Sequence, residues 1–365
     1  MKKILLIGNN DTGLYKFRLE LMQRLLDEQY RVYVSTPYGG YIPELEKMGC
    51  RYIPLEYDRA GKDPLAELKL LAAYSHMIGK GRFDAVLLYT IKPTLYAGLV
   101  CRMRKAPYLA NITGLSTVLV DTKVLSSVCF ALYRLALKTA DMVFFQNRAN
   151  MDLFVKRKAV PGRRKLIPGS GVNLSQHPYE AYAEDGRLRI LYVGRITKVK
   201  GMDEWLEAVR LLQGRQEGLA FEMAGECDGA YKEQIEHMQS QGMLTYHGVC
   251  RDPHQYMKAA QAVIMPSYGE GMSNVLLEAS ACGRPILASN VPGCSEILIE
   301  GVTGLGFEPH SVSGIVEAVG KFRALSKEQR EQMGREGRRH VERHFSRDII
   351  VDAYMKEIRK ICGVE

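Results

Sequence analysis

Glu270 and Glu278, with Arg195 and Lys200, are the side chains of this 365-residue chain best suited in type and setting to chemistry on an anionic ligand. Glu270 sits in the loop Gly269-Glu270-Gly271, after an apolar run, Ala262 to Met265, that Pro266 ends. A helix is expected to open near Ser273 or Asn274 and to close at Gly283, the residue type that ends helices, which places Glu278 two turns in. The first N–H groups of such a helix have no intrahelical acceptor and form an anion site. Gly269 and Gly271 let the backbone approach a ligand closely. The spacing of the two glutamates carries no information alone, because Glu20/Glu28, Glu300/Glu308 and Glu328/Glu336 share it. Its context does: strand, Pro-Ser, Gly-Glu-Gly, helix, Glu-Ala, Cys-Gly-Arg-Pro.

A second group precedes this one. Gly194-Arg195-Ile196-Thr197-Lys198-Val199-Lys200-Gly201 follows the apolar run Leu188 to Val193 and leads into the helical pattern Met202 to Leu212. In a parallel sheet Arg195 and Lys200 therefore project from the carboxyl edge, close to the helix start at Ser273. An Arg fork, a Lys point charge and a helix N-terminus suit a diphosphate.

The elements that must position these groups alternate as strand and helix along the whole chain. Strands are expected at Lys3–Ile7, Arg31–Ser35, Arg51–Leu55, Ala85–Tyr89, Tyr108–Ile112 and Met142–Phe145. Gly8 to Gly13 reads as a loop, followed by a helix with Leu14, Phe17, Leu21, Leu25 and Leu26 on one face. That loop lacks Gly-x-Gly-x-x-Gly, so a nicotinamide or flavin site is unsupported. Leu65 to Ile78 reads as an amphipathic helix with Leu68, Leu71 and Ala72 on its apolar side. Lys92 falls beyond a strand's carboxyl end, with the next helix starting near Pro93. A polar run to Gly186 reads as a connection, and a second series of strands and helices follows it. The fold class is α/β, with two Rossmann-like parallel-sheet domains facing each other across a cleft. Segments 311–324, 327–343 and 347–361 read as closing helices; in the last, Ile349, Ala353, Met355, Ile358 and Ile361 require a partner surface.

Composition narrows the partners. The chain is 46% hydrophobic and 25% charged, with no apolar run near the ~18 residues of a membrane span. Eight scattered cysteines without a Cys-x-x-Cys pair argue for a reducing cytoplasm and against zinc or a disulfide framework. Residues 1–180 hold 27 Lys/Arg against 15 Asp/Glu, a net of +12, whereas the remainder is net −3. A basic half suits an anionic membrane surface or substrate; no motif for nucleic acid accompanies it. The clusters are Arg102-x-Arg104-Lys105, Lys156-Arg157-Lys158 and Arg163-Arg164-Lys165.

Val-Gly-Arg, Lys-x-x-Gly-Met, Met-Pro-Ser, Glu-Gly, Glu-Ala and Gly-Arg-Pro, in this order, resemble the donor signature of family 4 retaining glycosyltransferases of the GT-B fold. Tyr15-x-Phe17-Arg18, Asp58-Arg59, Tyr89-Thr-Ile-Lys-Pro93, Asn111-Ile-Thr-Gly-Leu115 and Phe145-Gln-Asn147 resemble the branch that builds capsules, O-antigens and lipid-linked oligosaccharides. The resemblance implies sugar transfer from a UDP-sugar, with retention, to a polyprenyl-diphosphate-linked glycan. It implies no cofactor, and the absence of Asp-x-Asp favours a metal-independent reaction. By position it makes Arg195 and Lys200 the diphosphate ligands, Glu270 the contact to the donor sugar and Glu278 the contact to the ribose. Ser267, Gly271, Met272, Ser273, Asn274 and Val275 complete the donor set, with Glu270, Arg195 and Lys200 catalytic. Gly13, Arg18, Arg59, Lys92 and Thr113 are implied acceptor contacts, Thr113 standing where many members have His. Residues 1–172 with 346–365 then form the acceptor domain, 187–345 the donor domain and 173–186 the linker. The location implied is the cytoplasmic face of the cell membrane, held peripherally. Two other readings are a GT-B UDP-sugar epimerase and a non-catalytic sugar-nucleotide-binding protein.

Overall fold

The computed structural model describes residues 1–364 apart from 58–62, 115–122, 183–185, 214–217 and 251. The chain divides into two compact units, Met1–Ser170 with Arg347–Glu365, and Gly171–Ser346. Among the described residues no helix is long and apolar enough to cross a membrane.

The first unit is built on β1 (Lys3–Ile7), β2 (Arg31–Thr36), β3 (Arg51–Pro54), β4 (Ala85–Tyr89), β5 (Tyr108–Ile112), β6 (Met142–Phe145) and β7 (Arg164–Leu166). All pair parallel in the order β3-β2-β1-β4-β5-β6-β7. The central strands β1, β4, β5 and β6 are apolar at nearly every position because both faces are covered. In β1, Leu5 and Ile7 enter one core while Ile4 and Leu6 enter the other. Covering these faces are α1 (Asp11–Asp27), α2 (Ile42–Met48), α3 (Pro64–Gly81), α4 (Gly98–Arg104), α5 (Lys123–Ala136) and α6 (Arg148–Lys156).

The second unit has β8 (Leu188–Val193), α7 (Met202–Gln213), β9 (Leu219–Ala224), α8 (Gly229–Ser240), β10 (Thr245–Tyr246), a single turn α9 (His254–Met257), β11 (Ala262–Met265), α10 (Asn274–Ala281), β12 (Ile286–Ser289), β13 (Gly304–Phe307), α11 (Val312–Ala324) and α12 (Lys327–His344). Its parallel sheet runs β10-β9-β8-β11-β12-β13 around fully buried Trp205. In both sheets chain order reverses beside the first strand, between β1 and β4 and between β8 and β11. Ligands of open α/β sheets bind at the carboxyl ends of the strands at such a switch point.

The last helix, α13 (Arg347–Cys362), packs on α1 and β4 of the first unit. Ile350, Val351, Ala353, Tyr354, Met355, Ile358 and Cys362 are its buried apolar residues, whereas Ile349 is 39% exposed and Ile361 only partly covered. Arg347 donates to Glu20 Oε2 at 2.8 Å and Arg359 pairs with Glu28, so both ends of α13 are charge-latched to α1.

Three sequence expectations shift. α1 begins at Asp11, two residues before Gly13, because Asn10 accepts from the Gly13 N–H as its N-cap. α3 turns Leu70, Tyr74, Met77 and Ile78 inward and leaves Leu68 63% exposed. Apolar residues occupy both sides of that helix, and the aromatic Tyr74 wins the core. The helix after β4 starts at Ile91 and runs through a π turn, Pro93–Ala97. Pro93 supplies no N–H to the ladder, a common cause of such a bulge.

Candidate functional site

The switch point of the second sheet is where the sequence-selected residues meet. β8 and β11 are neighbours, pairing Ile190 with Ala262 and Tyr192 with Ile264. Their carboxyl ends release Gly194–Gly201 and Pro266–Ser273 side by side. In the first segment the Tyr192 hydroxyl donates to the Arg195 carbonyl at 2.7 Å. Burial holds that phenol protonated far above its ordinary range, with Glu270 adding to the rise. Thr197 then leads into a 3₁₀ turn, Lys198–Lys200, which Gly201 ends with φ of 71°.

The second segment is tied down at both ends. The Glu270 N–H donates to Pro292 O at 3.0 Å and the Ser273 N–H to Gly293 O at 2.8 Å. Gly293 has φ of 84°, and a Cβ there would lie 2.6 Å from Glu270 O, so only glycine fits against the loop. Ser273 caps α10, its hydroxyl accepting from the Leu276 N–H. Asn274 and Val275, the first helical residues, lie in the turn whose N–H groups the helix itself cannot satisfy. Glu278 follows on the same helix, half-buried.

Lys200 and Glu270 form an ion pair between the two segments, with side chains 18% and 14% exposed. Arg195 is exposed on the same edge, and no ion pair of its guanidinium occurs among the described residues. One mobile-headed cation, one forked cation, one carboxylate and a helix N-terminus thus share one sheet edge. The set can bind a diphosphate and accept hydrogen bonds from a hydroxylated ring. Ser267 takes a different place from its neighbours. It is fully buried, and its hydroxyl donates to Val199 O and Gly269 O, so it shapes the loop. Met272 is likewise buried at 6% exposure, its side chain in the hydrophobic core of the second unit.

In the first unit Gly13, Lys92 and Thr113 follow the carboxyl ends of the neighbouring strands β1, β4 and β5. Gly13 lies in the first turn of α1. Arg18 is buried, its guanidinium 4.6 Å from the Tyr89 ring and 5.8 Å from that of Tyr354. Lys92 pairs with Glu67 of α3 at 2.5 Å, both side chains 18% exposed. Thr90 beside it holds φ of 70°, a left-handed conformation costly for a β-branched residue. Thr113 is half-buried just past β5, and Arg59 falls outside the described residues. Asn111, at the end of β5, donates to the Tyr354 hydroxyl at 2.7 Å.

Sequence reasoning missed Tyr192, Gly293, Glu67 and Tyr354 as supports of these positions. Only Pro292-Gly293 carried a signal, a turn dipeptide shortly after a strand. Arg284, from the Gly-Arg-Pro motif, is fully buried and donates to the carbonyls of Met257, Glu180, Ala181 and Lys258. Its role is architectural. The basic cluster 163–165 also has a local explanation: Arg163 pairs with Glu357 at 2.9 Å, and Arg164 and Lys165 lie on edge strand β7, which their charge protects from pairing.

Comparison with known proteins follows the same division. Residues 3–147 match the family model described as glycosyl transferase 4-like, and residues 180–340 that of glycosyl transferases group 1. The N,N'-diacetylbacillosaminyl-diphospho-undecaprenol alpha-1,3-N-acetylgalactosaminyltransferase of Campylobacter jejuni is 23% identical over 331 residues, 86% of this chain and 87% of that one. The capsular polysaccharide biosynthesis glycosyltransferase CapM of Staphylococcus aureus is 29% identical over 164 residues, 44% of this chain and 42% of its own. Among solved structures, Anabaena HepE in complex with UDP and glucose superposes with a TM-score of 0.80 at 15% identity, covering 99% of this chain and 100% of that one. That likeness carries the fold.

Proposed function

We propose, for a chain that belongs to the family 4 glycosyltransferases of the GT-B fold, that it moves a sugar from a UDP-sugar to a polyprenyl-diphosphate-linked glycan with retention at the anomeric carbon. The observation that carries this reading is the meeting of Lys200, Glu270 and the α10 N-terminus at the β8–β11 switch point. Arg195 and Lys200 bind the donor diphosphate and neutralise the leaving nucleotide as the glycosidic bond breaks, an electrostatic role. The N–H groups of Gly271 to Val275 receive phosphate and sugar oxygens. Glu270 meets the donor sugar's hydroxyls, and Glu278 those of the ribose. Thr113 is no general base near neutral pH. The acceptor proton therefore passes to a donor phosphate oxygen, on the face where the acceptor attacks.

A lipid-linked acceptor is supported by the Campylobacter relative, whose name specifies a diphospho-undecaprenol substrate. The sugars are not assigned. The excess of basic residues in the first 180 fits reversible docking on anionic membrane, at about 1 kcal/mol per basic residue near the surface, screened by salt. A metal plays no part in this scheme, because the cations of the site supply the charge. The epimerase and binding-protein readings are disfavoured by the joint presence of Arg195, Lys200, Glu270 and Glu278.

The purified chain, incubated with radiolabelled UDP-sugars and a bacterial lipid extract, should transfer label to the lipid phase. Label remaining on the nucleotide in an isomerised sugar would establish the epimerase. Label bound but unchanged would establish the binding protein. Either result would overturn the proposal.

A further inference from the structure

At the far end of α10 from the candidate donor site, three metal-ligating side chains converge. His177, His254 and Cys282 each place a ligand atom within 4.8 Å of the others. Cys282 is the residue on which α10 ends, and it is fully buried. His254 opens the single turn α9, and His177 lies soon after the second unit begins at Gly171. The Cys282 Sγ and His254 Nδ1 are 3.2 Å apart. The two imidazole rings are 5.9 Å apart between centroids.

The outer contacts match those of a metal ligand. His254 Nε2 lies 3.0 Å from Glu180 Oε1. With the proton on Nε2 held by that carboxylate, Nδ1 presents its lone pair toward Cys282. Carboxylate, imidazole and metal in line is the usual arrangement around zinc. The histidine is 17% and the glutamate 34% exposed, so an ion can reach the site. The carbonyl end of α10 favours a cation there. Arg284 and Arg338 are the opposing charges near the thiol; both are committed to backbone carbonyls, Arg338 to those of His177 and Ala281 at 2.7 Å each.

We infer that His177, His254 and Cys282 bind a divalent transition metal of borderline softness, Zn²⁺ foremost, with water in the fourth position and Glu180 as the positioning carboxylate. Zn–N and Zn–S bonds of about 2.0–2.3 Å bring tetrahedral ligand atoms to roughly 3.3–3.8 Å of one another, so closure needs only a small rotation of the rings. Two nitrogens and one sulfur select zinc over magnesium or calcium. Zinc takes the thiolate form of Cys282, so binding releases the thiol proton: Cys–SH and Zn²⁺ give the Zn–thiolate and H⁺. The ion would clamp the segment 177–180 to α9 and to the end of α10. It lies at the opposite end of α10 from Ser273 and takes no part in the proposed transfer.

The test uses the full chain freed of metal by chelator. One equivalent of Co²⁺ should bind with a near-ultraviolet thiolate-to-cobalt charge-transfer band, and Zn²⁺ should displace it. Cys282→Ser should abolish the band and weaken Zn²⁺, read against a chromophoric chelator, by at least 100-fold. Glu180→Gln should keep the band and weaken Zn²⁺ by about 10–100-fold. If Cys282→Ser fails to fold, His254→Gln should give the same loss of affinity in a folded protein. Absence of Zn²⁺ binding, Co²⁺ binding without the band, or a Cys282→Ser affinity equal to the parent would overturn the assignment.

Discussion

Gly201 passes so close to Pro266 that a Cβ on the glycine would lie 2.0 Å from the proline's carbonyl oxygen. This contact joins the two segments of the candidate donor site one residue after Lys200. Gly201→Ala must therefore both leave a left-handed φ of 71° and push the two loops apart. The φ change alone costs about 1–2 kcal/mol, and overpacking adds about 1–3 kcal/mol. The variant should melt earlier in the second unit and lose turnover out of proportion to its loss of stability, because Lys200 moves with the turn. Unchanged melting and turnover would show that the contact relaxes freely.

Lys200→Ala and Arg195→Ala should each reduce kcat/KM for the donor by an amount corresponding to roughly 2–4 kcal/mol of transition-state stabilisation. Neither should change the melting temperature by much, since Arg195 is exposed and Lys200 is held by one partner. Arg195 has the longer reach and should show the larger KM effect. Near-parental turnover at subsaturating donor in either variant removes that residue from the leaving-group role.

Glu270→Gln and Glu278→Gln separate the two carboxylates. Glu278→Gln should raise the donor KM with little change in kcat, as loss of a ribose contact does. Glu270→Gln should lower kcat more, because it also releases Lys200 from its ion pair. Equal effects confined to KM would refute the division of roles.

Ile358→Ala tests the docking of α13. Ile358 is fully buried in the core shared with α1 and β1. A buried Ile→Ala change costs about 2–5 kcal/mol. Amide exchange should quicken throughout residues 1–170 and 347–365 and stay at parental rates in 171–346. Faster exchange confined to 171–346 would assign the helix to the wrong unit.

The candidate donor loop and α10 were legible because local chemistry agrees with tertiary demand there. Ser273 caps, Gly283 follows the helix end, and Pro266 ends the strand in sequence and structure alike. Arg18 shows the opposite case. Local pattern does not place its burial, because α13 arrives from the other end of the chain and covers it with Tyr354. The exposure of Leu68 was hidden for a related reason: with apolar residues around most of α3, periodicity cannot say which face wins. His177, His254 and Cys282 are far apart in sequence, and no spacing rule joins them. Lys92 was correctly set at a carboxyl strand edge, while its partner Glu67 lies one strand and most of a helix earlier.

The interior position of Arg284 separates inheritance of shape from inheritance of activity. Its guanidinium serves four carbonyls from two segments, work that a lysine's single ammonium cannot reproduce with the same planar geometry. A descendant that kept Arg284 and lost Lys200 would still form this sheet and this helix. One that kept Lys200 and lost Arg284 would have the charge without the frame that aims it. On the proposed function, loss of Arg284 is therefore read in folding yield, and loss of Lys200 in turnover. Duplicated copies of such a chain can accordingly shed their chemistry while remaining well-folded proteins.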